Sequence, residues 1–207
     1  MGERKELLHL PNGLPMYLHL HGLISKACPN LSHVHLSLPD EKALSNLQDP
    51  NLLDMISDVV AVPRIEDSIS IKALFDSDHS IGPAAGLLAA YEEQPEANWL
   101  VVACDLPLIQ VETICRLIRE FDGPLTCYVN HSGFEEALLG IWSPFALRKL
   151  KDNVKRGMYG PRFVVKELHT KTILPANKYE LFNANTSEEW DTAMKQFQCA
   201  GDRGGKT

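Results

Sequence analysis

An aspartate that closely follows a continuous apolar segment is the strongest chemical signal in the sequence. The segment covers residues 99–103, and it leads into Cys104, Asp105 and Pro107. An unbroken apolar run predicts a strand buried on both faces, and ligands of open parallel sheets bind at the carboxyl ends of the strands. A lone carboxylate there suits Mg²⁺, which takes few protein ligands and keeps water or phosphate oxygens for the rest. The alternative is an aspartate that caps the next helix or binds loop amides.

A second signal is a Gly-Pro turn at Gly82 and Pro83 that leads to Gly86 at the start of a predicted helix. Backbone N–H groups of such a turn can bind an anion, a ribose or a base. The alternative is a tight loop in which Gly86 lets the helix pack closely against a sheet. Asp76 ends a predicted strand shortly before this turn, which places it in the same region.

Two asparagines, Asn183 and Asn185, come just before the last predicted helix. Their side chains can contact the hydroxyl groups of a ligand or hold a loop, and Thr186 can cap the helix that follows. Taken alone, these residues favour the structural role over ligand binding.

Apolar, strand-like segments alternate with helical patterns along the chain, which predicts a parallel sheet covered by helices. The predicted strands cover residues 33–38, 58–62, 69–75, 99–103, 125–129 and 137–142. The predicted helices cover residues 14–27, 82–93 (with the turn before it), 111–121, 144–155 and 187–197. We expect one domain over residues 1–198 and a disordered tail over residues 199–207.

Composition excludes several classes of function. Of the 207 residues, 44% are hydrophobic and 23% charged, which is ordinary for a globular protein. A formal net charge of −7 argues against binding to nucleic acid or to an anionic membrane. Five cysteines without a CxxC pair predict reduced thiols. No segment predicts a signal peptide or a membrane span, so we expect a cytoplasmic protein.

In their order along the chain, these motifs resemble those of the molybdenum cofactor guanylyltransferase family. That family has a Gly-rich loop ending in Arg-Met-Gly and a lysine, then Gly-Pro-x-x-Gly, Cys-Asp-x-Pro and Asn-x-Asn-Thr. Residues 1–5, 82–86, 104–107 and 183–186 match these motifs in turn. Residues 136–142 are similar to the family's strand near the acceptor, although Ala137 stands where proline is usual. The resemblance covers nearly the whole chain.

The resemblance implies a Rossmann-like, three-layer α/β/α fold with a mostly parallel sheet. It also implies an Mg²⁺-dependent enzyme that transfers GMP from GTP to a molybdopterin-type cofactor and releases pyrophosphate. The acceptor's terminal phosphate would attack the α-phosphate in line, so that positioning and charge neutralisation do most of the catalysis. A molybdoenzyme or a cofactor carrier is the implied protein partner.

The resemblance also implies a role for each candidate residue. Lys5 would neutralise the nucleotide phosphates, and Asp105 would hold Mg²⁺. The other implied nucleotide contacts are Ser37, Asp76, Gly82, Pro83 and Gly86, and the implied acceptor contacts are Glu136, Asn183 and Asn185. Ser37 stands near a position where the family usually has asparagine, which leaves the selectivity for guanine open.

In one respect the sequence departs from the family. The family's first strand and the Gly-Gly-x-Ser-x-Arg part of its loop would lie upstream of Met1, so we expect a sheet without its first strand and an activity that depends on preceding residues. Two alternatives follow. One is a nucleotidyltransferase that uses CTP or a sugar-phosphate acceptor, and the other is an inactive regulatory or scaffold protein with the same fold.

Overall fold

A computed structural model describes residues 5–47, 69–76 and 78–204, and it shows the predicted alternation of strands and helices. The strands are β1 (His33–Leu38), β2 (Ser70–Phe75), β3 (Trp99–Val102), β4 (Leu125–Val129), β5 (Glu135–Trp142) and β6 (Lys171–Ile173). The helices are α1 (Met16–Ala27), α2 (Glu41–Leu47), α3 (Ala84–Glu93), α4 (Val111–Glu120), α5 (Pro144–Lys155), α6 (Pro161–Glu167) and α7 (Ser187–Gly204). Short 3₁₀ turns cover Lys5–Leu7 and His79–Ile81.

The described strands form two sheets. Strands β1 and β2 pair in parallel, and the other sheet has the order β3-β5-β4-β6. Strand β5 runs antiparallel to both of its neighbours, whereas β6 is parallel to β4. The predicted α/β class is confirmed, with β5 as the exception to parallel pairing. The reason is the short turn between β4 and β5, closed by a 2.9 Å hydrogen bond from the Asn130 amide to the Phe134 carbonyl, because a connection this short can join only antiparallel strands.

Helices cover both faces of the four-stranded sheet, so the predicted three layers are present. Alternate side chains of a strand point to opposite faces. Leu125 and Cys127 of β4 therefore pack with Trp142 against α3, α5 and α6. Leu139 and Ile141 of β5 pack on the other face, against α1, α4 and α7.

The smaller sheet has a core of its own and meets the larger one at a cavity. Leu38 of β1 packs with residues of α1 and α2. Strands β1 and β3 share no ladder. Leu36 and Val102, one from each strand, line a cavity of about 50 Å³ between the sheets. Beside this cavity the rings of His35 and Trp99 are in contact, with centroids 5.1 Å apart.

Most predicted elements are confirmed, and the differences have local causes. The predicted strand at 58–62 lies outside the described residues. Helix α7 continues to Gly204, so residues 199–204, expected in a disordered tail, are helical; residues 205–207 lie outside the described part. Extending a helix whose start is already formed costs little per residue.

The elements that the sequence analysis missed are the short ones: α2, α6 and β6. In α2, Asp40 caps the first turn, because its carboxylate accepts a 2.7 Å hydrogen bond from the Ala43 amide. No helix in the described part of the chain combines the length and the apolar character needed to cross a bilayer.

One titratable side chain lies within the contact between α1 and α7. The ring of His19 packs edge-on against Phe197, with centroids 5.5 Å apart. Its Nε2 atom is buried and has no hydrogen-bond partner among the described residues. Burial lowers the pKa of His19 from 6.5 to about 4, and the charge of Lys26 acts in the same direction.

We expect His19→Leu to reduce the acid sensitivity of the fold. Between its pKa in the unfolded chain, 6.5, and its pKa in the folded one, about 4, His19 binds a proton only when the chain unfolds. The wild-type free energy of unfolding should therefore fall as the pH drops through this window, by up to about 1.4 kcal/mol per pH unit. Urea unfolding across the window measures this slope, and an equal slope in the variant would contradict the assignment.

Candidate active site

Three predicted site residues from distant parts of the sequence meet at one point. Lys5 lies in the first 3₁₀ turn, Asp105 follows β3, and Asn185 precedes α7. The ammonium nitrogen of Lys5 lies 3.5 Å from Oδ2 of Asp105. The same ammonium donates a short hydrogen bond to Oδ1 of Asn185. One cation is therefore held between a carboxylate and an amide oxygen at the end of a strand.

The loop that carries Asn185 is fixed by the cap of α7. The backbone amide of Glu189 donates to Oγ1 of Thr186 at 3.1 Å. In return the Glu189 carboxylate accepts 2.9 Å hydrogen bonds from the amides of Asn185 and Thr186. These backbone hydrogen bonds lower the pKa of Glu189, because they stabilise its charged form. Asn185 is therefore positioned by a reciprocal capping box.

The same loop is tied to the segment that carries Asp105. The amide of Ala184 donates a 2.9 Å hydrogen bond to the backbone carbonyl of Asp105. Ala184 is fully buried, so its neighbours Asn183 and Asn185 are held close to Asp105. The Oδ1 atom of Asn183 is buried and has no hydrogen-bond partner among the described residues.

Glu136 of β5 adds a second carboxyl group to this region. Burial raises the pKa of Glu136, and the nearby charge of Asp105 raises it further. A 3.3 Å hydrogen bond from Nδ2 of Asn130 acts in the opposite direction. Two carboxyl groups that repel each other in a partly buried place favour the binding of a cation between or beside them.

The remaining predicted residues form a second group at the carboxyl ends of β1 and β2. The hydroxyl of Ser37 donates a 2.8 Å hydrogen bond to the Asp76 carboxylate. A Cβ atom at Gly86 would lie 2.4 Å from the Ser37 hydroxyl oxygen, so a residue other than glycine would collide with this pair. Gly82 has a φ of 58°, a conformation that favours glycine, and Pro83 is the N-cap of α3. Gly82 therefore provides a positive φ in the turn, and Gly86 allows close packing of α3 against Ser37.

The segments that carry the two groups both border the cavity between the sheets. Leu36, next to Ser37, and Cys104, next to Asp105, both line it. Burial raises the pKa of the Cys104 thiol to about 12, and the charges of Glu6 and Asp105 contribute. Cys104 is therefore a neutral thiol that closes one side of the cavity, and its chemistry is not that of a nucleophile.

Sequence reasoning missed two side chains that support this site. Glu189 could have been found, because Thr186 and Glu189 follow the capping-box pattern of Ser or Thr followed three residues later by Glu. Asn130 carries no such signal. Its contact with Glu136 exists because the β4–β5 turn folds the chain back on itself.

The site contains oxygen ligands but no preassembled metal cage. In the described part of the chain, no group of three or more His, Cys, Asp or Glu side chains could hold a metal ion. A single aspartate beside an amide oxygen is a donor set that suits Mg²⁺, because Mg²⁺ is commonly held by one or two protein oxygens together with substrate phosphates.

Comparison with known proteins decides the family. The family described as the MobA-like NTP transferase domain matches residues 1–172. The chain belongs to this family.

Two relatives give this assignment more detail. The chain is 33% identical, over 124 residues, to a molybdenum cofactor biosynthesis bifunctional protein from Synechocystis. That match covers 58% of the chain and 36% of the relative, so the chain spans about a third of that protein. A protein from Aquifex aeolicus, described as a probable molybdenum cofactor guanylyltransferase, is 27% identical over 158 residues, which is 75% of the chain and 67% of the relative.

A solved structure supports the fold. The chain superposes on molybdopterin-guanine dinucleotide biosynthesis protein A from Archaeoglobus fulgidus with a TM-score of 0.63, covering 95% of this chain and 92% of that one. The sequence identity is 15%, so this likeness concerns the fold alone. It confirms the predicted Rossmann-like arrangement.

We expect Gly86→Ala to destabilise the protein by about 1–3 kcal/mol, the usual cost of inserting a methyl group into a filled space. The new Cβ would displace the Ser37 hydroxyl from Asp76. Gly22 in α1 offers a matched control, since nothing lies within 4 Å of its Cβ position. Gly22→Ala should be neutral or stabilising by up to about 1 kcal/mol.

Thermal and urea unfolding of the two variants measure this difference. Adding Ser37→Ala to Gly86→Ala should restore part of the loss, because it removes the oxygen that the new methyl group meets. Equal free energies of unfolding for Gly86→Ala and Gly22→Ala would show that the close approach at Gly86 does not affect stability.

Proposed function

We propose that this chain transfers GMP from GTP to a molybdopterin-type cofactor in an Mg²⁺-dependent reaction that releases pyrophosphate. The observation that carries the proposal is the contact of the Lys5 ammonium with oxygens of Asp105 and Asn185 at the end of β3. Membership of the NTP transferase family supports transfer of a nucleotidyl group. The described activity of the Aquifex relative supports a guanylyl group and this acceptor.

The donor set fits Mg²⁺. The Asp105 carboxylate and the Asn185 amide oxygen already converge on one cation, the ammonium of Lys5. Asp105 would hold the metal, and the phosphates of the nucleotide would complete its coordination. When bound, Mg²⁺ supplies charge stabilisation to the phosphate oxygens around the reacting phosphorus atom.

The residues around this position would act by binding and orienting. Lys5 offsets the negative charge of the nucleotide phosphates. The N-terminus of α3, preceded by Gly82 and Pro83, offers backbone N–H groups to the nucleotide. Asp76, which accepts a hydrogen bond from Ser37, can also accept hydrogen bonds from a ribose or a base. Gly86 allows α3 to lie close to Ser37 and Asp76.

Acceptor binding is assigned to Glu136, Asn183 and Asn185. Glu136 lies within electrostatic reach of Asp105, Asn183 has a buried amide oxygen without a hydrogen-bond partner among the described residues, and Asn185 contacts Lys5. For an in-line attack, the acceptor phosphate must approach the α-phosphate opposite to the leaving pyrophosphate. Positioning of the two substrates is the main catalytic contribution, and no covalent enzyme intermediate is required. We place the reaction in the cytoplasm, with a molybdoenzyme or a cofactor carrier as the recipient of the product.

Asp105→Asn should lower the rate of GMP transfer by at least about 100-fold, since a metal ligand contributes several kcal/mol to transition-state stabilisation. The assay follows pyrophosphate release from GTP in the presence of molybdopterin and Mg²⁺. Asp152→Asn is the matched control: this carboxylate lies on α5, 3.6 Å from Lys155 at the surface, and its loss should leave the rate unchanged. Transfer that survives in Asp105→Asn would refute the assigned role.

Calorimetric titration with GTP and CTP tests the nucleotide separately. We expect Mg²⁺-dependent binding of GTP and weaker binding of CTP. A preference for CTP would still support nucleotidyl transfer, but it would contradict the assignment of GTP as the donor. Absence of binding to any nucleotide would favour a scaffold role for the fold.

A further inference from the structure

Strand β5 keeps different registers with its two neighbours. Against β3 its pairing is unbroken over residues 139–142. Against β4, Cys127 pairs with Gly140. The next residue of β4, Tyr128, pairs with Glu136. The residues between Gly140 and Glu136 therefore lie opposite no residue of β4, and β5 bulges on this side.

The bulge decides on which face of the sheet Glu136 lies. Alternate residues of a regular strand share a face, so Glu136 of a regular β5 would lie on the face of Leu138 and Trp142. In the structure Ala137 packs in the same core as these two residues, so the alternation is broken here. Cross-strand partners share a face, and the partner of Glu136 is Tyr128, which packs on the opposite side of the sheet. The bulge thus turns Glu136 away from the core formed with α3, α5 and α6.

This orientation separates the two glutamates at the start of β5. Glu136 accepts a 3.3 Å hydrogen bond from Nδ2 of Asn130 and is influenced by the charge of Asp105. Glu135 is instead paired with Arg162 of α6. In a strand without the bulge, the two carboxyl groups would exchange faces, and Glu136 would lie on the side of α6.

The side chain of Trp142 closes the bulge. Its Nε1 atom donates a 2.9 Å hydrogen bond to the carbonyl oxygen of Ala137, a residue of the bulge. Both residues are buried, and a buried carbonyl without a hydrogen bond costs free energy. The neighbouring carbonyl, that of Leu138, accepts a hydrogen bond from the Ala103 amide beside β3. The indole N–H therefore stabilises the bulged form of β5.

We propose that Trp142 is a positioning residue, whose indole N–H holds the bulge of β5 and thereby places Glu136 for contact with the acceptor. The role of Glu136 in this inference rests on the proposed function. Its carboxyl group accepts hydrogen bonds from N–H groups of the pterin ring on the face to which the bulge turns it. Trp142 is fully buried, so it acts through the backbone of β5 and touches no substrate.

Replacement of Trp142 by benzothienylalanine tests the hydrogen bond alone. In this isostere a sulfur atom takes the place of the indole N–H, so the size and the apolar surface of the side chain hardly change. Cross-strand nuclear Overhauser effects between backbone protons of Tyr128 and Glu136 report the register. We expect them to weaken at least about twofold, because the unsatisfied Ala137 carbonyl favours a rearranged strand. Unchanged effects would overturn the positioning role.

Steady-state kinetics of GMP transfer test the consequence for the acceptor. The isostere should raise the KM for molybdopterin about tenfold, as for loss of a hydrogen bond to a charged group, and should change the KM for GTP less than about twofold. In a Glu136→Ala background the same replacement should have no further effect, because Trp142 acts through Glu136. Additive losses would show a general structural role and would overturn the inference.

Leu147→Ala is the matched control. Leu147 lies on α5, fully buried in the same core as Trp142. Its truncation loosens that core but leaves the hydrogen bond to Ala137 in place. We expect the register and the KM for molybdopterin to stay within about twofold of the wild type. If Leu147→Ala reproduces the effects of the isostere, loss of core packing displaces Glu136, and the role of the indole N–H is wrong.

The two measurements also separate this inference from the function on which it rests. A wild-type protein that transfers no GMP would refute the proposed function. The comparison of register between the wild type and the isostere would then still decide whether Trp142 positions Glu136. Normal transfer together with an unchanged register in the isostere would retain the function and overturn the inference.

Discussion

The antiparallel strand β5 is the element on which the rest of the structure depends. It lies between β3 and β4, and its alternate side chains belong to the two cores on either side of the sheet. Its close approach to β4 requires a glycine: a Cβ at Gly140 would lie 2.8 Å from the carbonyl oxygen of Thr126. The Leu138 carbonyl accepts a 2.9 Å hydrogen bond from the Ala103 amide. This bond extends β3 pairing to within two residues of Asp105.

The position of β5 also determines the electrostatics of the site. Glu136 is placed where Asp105 raises its pKa, and the turn before β5 supplies the Asn130 amide that partly opposes this effect. Concentrating carboxylates at one edge of a sheet costs free energy unless cations are near. Lys5 is such a cation in this structure, and the cap of α7 supplies the amide oxygen that completes its surroundings. The fold itself thus places oxygens of Asp105 and Asn185 around a cation, the ammonium of Lys5.

Much of the fold follows from local patterns. The segment at 99–103 and the helix after Pro144 were predicted from composition and spacing, and the structure has them as β3 and α5. The direction of β5, in contrast, is set by a turn whose hydrogen bonds are not a periodic signal. The short elements α2, α6 and β6 were missed, because a segment of three to seven residues shows too little periodicity to be recognised.

The candidate site likewise has features that follow from the sequence and features that only the tertiary structure determines. The sequence by itself determined which residues can act as ligands, because residue type fixes the chemistry: carboxylate at Asp105, amide at Asn185, ammonium at Lys5, and flexible backbone at Gly82 and Gly86. Only the tertiary structure decided that Lys5, Asp105 and Asn185 touch, and that Gly86 is needed because Ser37 lies against it. The physical reason is that these contacts join segments far apart in sequence. Their distances are set by the packing of the helices and strands between them, which no local pattern specifies.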